Sequence, residues 1–298
     1  MAMVAPHTGQ TPENRFGDKS LLITGLRLCA KMLPGDYFRT FVYRSLVHKP
    51  RAALRRALNA FYRMDHVYSV IEEFRDNYFG PFAILEFGVA DGYSFTKKVF
   101  ATQYLGAHAD IICHGFDSFE GLPASDDPRD KQSSDGGDWL PGQYRGCYEE
   151  LSSYLASKYI NWRLHKGWFE DTLTARFLDS LSVHRPILVW IDCDYYSSAR
   201  LVMERLVPWL PNGCVIYFDD YEFNYGSRFT GEARLVHEIN TGALGAGIEL
   251  VPDKELSWDL QRCYRFMSEK PVARFKRLKP ITDPAYELRR RGNDSALP

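Results

Sequence analysis

Short apolar runs, most of them stopped at once by glycine or aspartate and followed by helix-compatible sequence, constrain this chain more than any other feature. The runs are Phe82–Phe87 before Gly88, Ile111–Phe116 before Asp117, Pro186–Ile191 before Asp192 and Cys214–Phe218 before Asp219, with a shorter one at Trp162–His165. Continuous rather than alternating hydrophobicity marks strands buried on both faces. Helical patterns fall between them, up to about Leu105 and over Cys147–Lys158, Leu173–Leu181 and Ala199–Leu210. Strand and helix in alternation predict an α/β fold, a mostly parallel central sheet with helices on both faces. Beyond the fifth strand, Glu232–Asn240 reads as a helix, and Ile248–Val251 with Arg262–Met267 as a closing strand pair.

The flanks read differently. Residues 1–20 form a polar, flexible lead, 21–80 an N-terminal helical region with breakers at Pro34-Gly35 and Pro50, 81–270 the α/β domain, and 271–298 a basic C-terminal tail. Nine basic residues lie between Arg27 and Arg63 against the single acid Asp36, a solvated face or a contact surface for an anionic partner. The whole chain has a net charge of -1, which does not suggest a nucleic-acid partner. No apolar stretch approaches a membrane span, the lead has no apolar core of a signal peptide, and six cysteines show no CxxC pair. A cytoplasmic protein is expected.

Chemistry gathers at the strand ends. Glu86-Phe87-Gly88-Val89-Ala90-Asp91-Gly92-Tyr93-Ser94 is a glycine turn leading into a helix, where backbone N–H groups can meet an anionic ligand. Its spacing is not the GxGxxG of dinucleotide enzymes, which counts against an oxidoreductase. It is closer to the ExGxxxG loop of S-adenosylmethionine enzymes. Asp117 stands where a carboxylate can accept both ribose hydroxyls of a nucleoside. Ser118–Gln143 is a long loop carrying Asp126, Asp127, Asp130, Asp135 and Asp138, read as a lid. Lys166-Gly167-Trp168-Phe169-Glu170-Asp171-Thr172 offers an aromatic edge for an adenine or for packing on the sheet. Ile191-Asp192-Cys193-Asp194-Tyr195-Tyr196 and Phe218-Asp219-Asp220-Tyr221 bring four carboxylates to one sheet edge. Such a cluster repels itself unless a proton or a hard cation intervenes.

In this order, and together with Phe116-Asp117-Ser118-Phe119-Glu120-Gly121-Leu122-Pro123, these segments resemble the macrocin O-methyltransferase family, the TylF-like class I methyltransferases, over about Ile84 to Tyr221. The resemblance implies a Rossmann-like domain that transfers a methyl group from S-adenosylmethionine to a hydroxyl of a sugar or natural product, with Mg²⁺. Under it, the cofactor-binding set is Glu86, Gly88, Asp91, Gly92, Ser94, Asp117, Ser118, Trp168, Phe169 and Asp192. Asp194, Asp219 and Asp220 are the metal set, and Asp192 and Asp194 the catalytic pair. Which of those two is the ligand stays open; residues that alternate along a strand face opposite ways if the strand persists. His165 and His237 are lesser candidates for a base. Ala90-Asp91 and Cys193 depart from the family pattern, which leaves the acceptor undefined. The expected partner is a small-molecule acceptor, and the N-terminal helices are placed at its pocket or at a homo-oligomer interface. A metal-independent N- or carboxyl-methyltransferase, or a nucleotide-binding protein of similar fold without turnover, is the alternative.

Overall fold

The computed structural model describes residues 65–131, 139–254, 256–257, 262–272 and 275, with isolated positions 35 and 37. The flexible lead, the N-terminal helices before residue 65, nearly all of the C-terminal tail, and Asp135 and Asp138 of the long loop lie outside the described residues. The chain divides into two compact units, 1–65 and 66–298, and the second carries the sheet.

The elements run α1 (Asp65–Asn77), β1 (Phe82–Phe87), α2 (Tyr93–Tyr104), β2 (Ile111–Asp117), α3 (Tyr148–Ala156), β3 (Trp162–Lys166), α4 (Phe169–Thr172), α5 (Ala175–Ser180), β4 (Arg185–Ile191), α6 (Tyr196–Leu206), β5 (Val215–Phe218), α7 (Gly231–Asn240), β6 (Ile248–Pro252) and β7 (Arg262–Ser268). The sheet has seven strands in the order β3-β2-β1-β4-β5-β7-β6. β1 to β5 pair in parallel, while β7 runs antiparallel to β5 and β6 to β7.

The strands form where expected because β1, β4 and β5 are buried throughout. β4 tolerates Pro186 because the pairing with β1 shifts register there, so the missing N–H falls at a bulge. The helical stretch expected over Leu173–Leu181 is shorter than predicted and preceded by a separate turn, α4. Thr174 interrupts the two, its side chain accepting from Phe177 N–H at 3.2 Å as the N-cap of α5. α6 begins before Ala199, and a 3₁₀ turn at Val207–Trp209, with Pro208 in its first turn, follows it.

Alternation along the strands gives the sheet two unlike faces. Ala83, Leu85 and Phe87 of β1, Val189 and Ile191 of β4 and Ile216 and Phe218 of β5 join residues of α5, α6 and α7 in one apolar core. On the other face, Glu86, Trp190 and Tyr217 lie side by side in register. α1 brings His66 to stack on Trp190 and Tyr217, with ring centroids 5.3 and 4.9 Å away. α2 brings Lys98, whose Nζ lies 3.5 Å from the centre of the Trp190 ring.

Candidate active site

Strand order reverses between β1 and β4, with β2 and β3 on one side and β5 on the other. The crevice beyond the carboxyl ends of strands at such a reversal is where open α/β sheets bind ligands. The glycine turn forms one wall. Gly88 has a φ of 90°, and a Cβ there would fall 1.7 Å from the Asp192 carbonyl oxygen, so only glycine lets the ends of β1 and β4 meet. The turn closes through a bond from Gly92 N–H to the Val89 carbonyl at 2.8 Å. α2 then starts with no side-chain cap and no acid in its first turn, leaving its N–H groups for an anionic ligand.

Several residues expected at the cofactor have side-chain partners within the protein. The Glu86 side chain is wholly buried: one oxygen accepts from Ser94 Oγ, the other from Lys98 Nζ at 2.7 Å. Burial pushes the Glu86 carboxyl up and the Lys98 ammonium down, while each holds the other partly charged. Glu86 and Ser94 thus tie the turn to α2 from beneath. Asp117 accepts from Val89 N–H at 2.7 Å, Ala90 N–H at 2.8 Å and Phe119 N–H at 2.5 Å. A carboxylate offers about four lone-pair sites, so about half of its capacity holds the glycine turn in place and another site holds the start of the loop after β2. Ser118 forms a local turn, its Oγ accepting from Glu120 N–H at 3.1 Å. Asp91 is exposed. Trp168 is 38% exposed, and Phe169 packs edge-on against Phe87 at 5.5 Å.

The opposite wall is acidic. β4 ends at Ile191, so the alternation argument for Asp192 and Asp194 does not apply. Asp194 instead has a φ of 59°, in a turn where Tyr195 N–H meets the Cys193 carbonyl at 2.5 Å. Asp192 accepts from the Trp190 indole at 3.3 Å, and Asp219 from the Tyr217 hydroxyl at 3.2 Å. Burial first, then mutual repulsion, holds Asp192, Asp194 and Asp220 well above the usual carboxylate range. The four aspartates are therefore brought together as the motifs implied.

Both histidine candidates fall elsewhere. His165 shares a 2.9 Å hydrogen bond with His114 and stacks on Phe116 at 4.2 Å; burial lowers the two imidazoles to about 4 and about 3. His237 is exposed in the last turn of α7. Sequence reasoning missed Lys98 and Glu232. Glu232, in the first turn of α7, is 1% exposed. One of its oxygens accepts from Asp220 N–H at 2.9 Å, and the other has no hydrogen-bond partner. Burial and Asp220 push its carboxyl well up. Both residues were traceable: Lys98 is in helical phase with Phe95 and Thr102, Glu232 with Leu235 and Val236, so each is a charge set within an apolar stripe.

A hard cation suits this donor set: it is all oxygen, self-repelling, and includes one orphaned buried oxygen. Among the described residues, no three Asp, Glu, His or Cys side chains converge closely enough to hold an ion as they stand.

Comparison with known proteins bears on the family and the fold. The family model for macrocin O-methyltransferase (TylF) matches residues 48–244. Similar solved structures include the calicheamicin methyltransferase CalS11, at 17% identity and a TM-score of 0.58 over 88% of this chain and 99% of that one. The apo form of CalS11, a TDP-rhamnose 3′-O-methyltransferase, gives 17% identity and a TM-score of 0.50 over 84% and 95%. The O-methyltransferase NovP gives 18% and 0.48 over 70% and 81%. At these identities the likeness is one of fold. No curated protein sequence matches significantly. With about two thirds of its length matched by the family model, this chain belongs to the macrocin O-methyltransferase family and is an S-adenosylmethionine-dependent O-methyltransferase.

Proposed function

We propose that the enzyme methylates a hydroxyl of a sugar or natural product and uses Mg²⁺ to do so. One observation carries the reading: the glycine turn and the acidic cluster share a crevice, joined where Gly88 meets the Asp192 backbone. A methyl donor on one wall would thereby face an oxygen-binding site on the other.

The cofactor supplies an electrophilic methyl group, and a bound divalent cation supplies a Lewis acid that acidifies an acceptor hydroxyl. The rest falls to the chain. Gly88 to Gly92 and the N-terminus of α2 would receive the cofactor, with Asp91, Ser118, Trp168, Phe169 and Asp192 around it. Glu86, Ser94 and Asp117 fix the turn from behind, and Asp117 keeps lone-pair capacity for one ribose hydroxyl. Asp194, Asp219 and Asp220 would hold the metal, with Glu232 fixing the Asp220 backbone. Asp192 or Asp194 would take the hydroxyl proton. Holding the acceptor oxygen in line with the methyl group is the larger catalytic contribution.

Five free cysteines among the described residues suit a reducing, cytoplasmic setting. No described helix is long and apolar enough to cross a membrane. The deciding assay is transfer of labelled methyl to a panel of hydroxylated acceptors, opening with TDP-rhamnose, with and without EDTA. Transfer that EDTA abolishes and Mg²⁺ restores is expected. Full transfer by chelated enzyme would remove the metal from the reading.

A further inference from the structure

Asp192 and Asp219 stand at equivalent places on neighbouring strands. Trp190 pairs with Tyr217 and Ile191 with Phe218 in the parallel register of β4 and β5. The ladder runs one residue past each strand: Asp192 N–H donates to the Phe87 carbonyl at 2.9 Å, and Asp219 N–H to the Ile191 carbonyl at 3.0 Å. Alternation then puts each aspartate on the same face as the aromatic residue two places before it. Side-chain bonds follow that geometry. The Trp190 indole donates to Asp192 Oδ2 at 3.3 Å, and the Tyr217 hydroxyl to Asp219 Oδ1 at 3.2 Å.

The donors are held by contacts that involve neither aspartate. The two rings stack with centroids 3.6 Å apart and an interplanar angle of 20°, and both are fully buried. Lys98 Nζ, itself held by Glu86 at 2.7 Å, lies 3.5 Å from the centre of the Trp190 ring. The His66 ring of α1 stacks on both. An indole N–H carries no charge and has no acceptor, and a phenol keeps its proton at neutral pH. Both donors therefore orient a carboxylate without cancelling the charge that a cation would meet; a lysine in either place would neutralise it.

We propose that Trp190 and Tyr217 form a positioning pair: stacked as one unit, they hold Asp192 and Asp219 by one oxygen each and so fix the orientation and spacing of the two carboxylates. The two walls of the crevice then share a support, since Glu86 and Lys98 brace the glycine turn and the Trp190 ring together. The role of Tyr217 in orienting a cation ligand rests on the Mg²⁺ reading of the acidic cluster; the hydrogen bonds do not.

Two measurements on the full chain test it. In ¹⁵N-labelled protein, Trp190→Phe identifies one indole signal among the six tryptophans. Should that variant not fold, nuclear Overhauser contacts between the indole and the stacked Tyr217 ring identify it instead. Asp192→Ala should move this signal upfield, and Asp194→Ala should leave it in place. In Mn²⁺ titrations followed by electron paramagnetic resonance, Tyr217→Phe should weaken binding about tenfold or more, the range for groups that orient a metal ligand. Its affinity for S-adenosylhomocysteine should stay within about twofold, because the ring and its stack remain. An indole signal that Asp192→Ala leaves unmoved, or that Asp194→Ala moves as far, overturns the inference. So does Mn²⁺ affinity equal in wild type and Tyr217→Phe, which leaves the rings as packing residues, and so does a loss of both affinities together, which marks a general loosening of the site. A wild type that binds no Mn²⁺ removes the metal reading instead, and the indole shift then decides the inference alone.

Discussion

The buried pair Glu86–Lys98 allows a double-mutant cycle whose outcome follows from its geometry. Both side chains have zero exposure, and Nζ lies 2.7 Å from Oε2. At an effective dielectric constant of about 20 the attraction is about 6 kcal/mol, set against desolvation of both charges. Glu86→Gln strands the ammonium, and Lys98→Met strands the carboxylate; each should cost about 3–5 kcal/mol, the range for breaking a buried pair. Lys98→Met should cost more, because the ammonium also compensates Asp192 and Asp219 and lies over Trp190. The double variant keeps the volume of both side chains and leaves neither charge stranded, so its loss should fall at least about 2 kcal/mol short of the summed singles. Urea unfolding at pH 7, with equal m-values, reads all four corners. Strict additivity would refute the pairing. Calorimetry with S-adenosylhomocysteine on the double variant separates two roles: affinity within about threefold of wild type means Glu86 acts by holding the turn, and a larger loss means it touches the cofactor.

Other consequences are as direct. Asp192, Asp194, Asp220 and Glu232 titrate above their ordinary range in the folded state, so the fold retains protons that the unfolded chain releases. Their contribution is full below about pH 4 and is lost as pH rises through the folded values, at up to about 1.4 kcal/mol per pH unit for each group; urea midpoints between pH 5 and 8 should fall without Mg²⁺ and level off with it, and a flat profile in EDTA counts against the cluster. Asp117→Ala removes the acceptor of three backbone N–H groups and should lower stability by about 3 kcal/mol or more as well as weakening S-adenosylhomocysteine binding; a loss of binding with unchanged stability would place Asp117 at the ribose alone. Asp219→Asn or Asp220→Asn should depress turnover far more than cofactor affinity, and turnover within a few-fold of wild type in both ends the metal assignment. Gly88→Ala should fail to give a cooperative unfolding transition, since a side chain would overlap the Asp192 carbonyl.

The fold was legible because its determinants are local and repeated. Each buried strand announces itself as an unbroken apolar run, and each run ends where a glycine or carboxylate marks the crevice. The four aspartates were legible for the same reason. The packing of Trp139 on Tyr195 was not, because their separation along the chain carries no period; only the folded loop brings the two rings together. Asp117 was found, but its bonds to the glycine turn were not, since backbone donors leave no mark in a sequence. Lys98 and Glu232 lay in view as charges out of place on apolar stripes, though pairing them with Glu86 and Asp220 required the register of the sheet.

The contacts at Gly88 and Gly146 also say where this enzyme can change. At each, backbone stands against backbone, with no room for a side chain: Gly88 against Asp192, Gly146 against Ala90. These two positions act as rivets between loops that otherwise belong to different strands. Between Trp139 and the Gly146 rivet lie Leu140 and Tyr144, exposed at 67% and 45%. Substitutions that hold the rivets and the buried Trp139 constant and vary those two would change only what the loop presents to solvent. The backbone frame and the exposed face of the loop would then be altered separately.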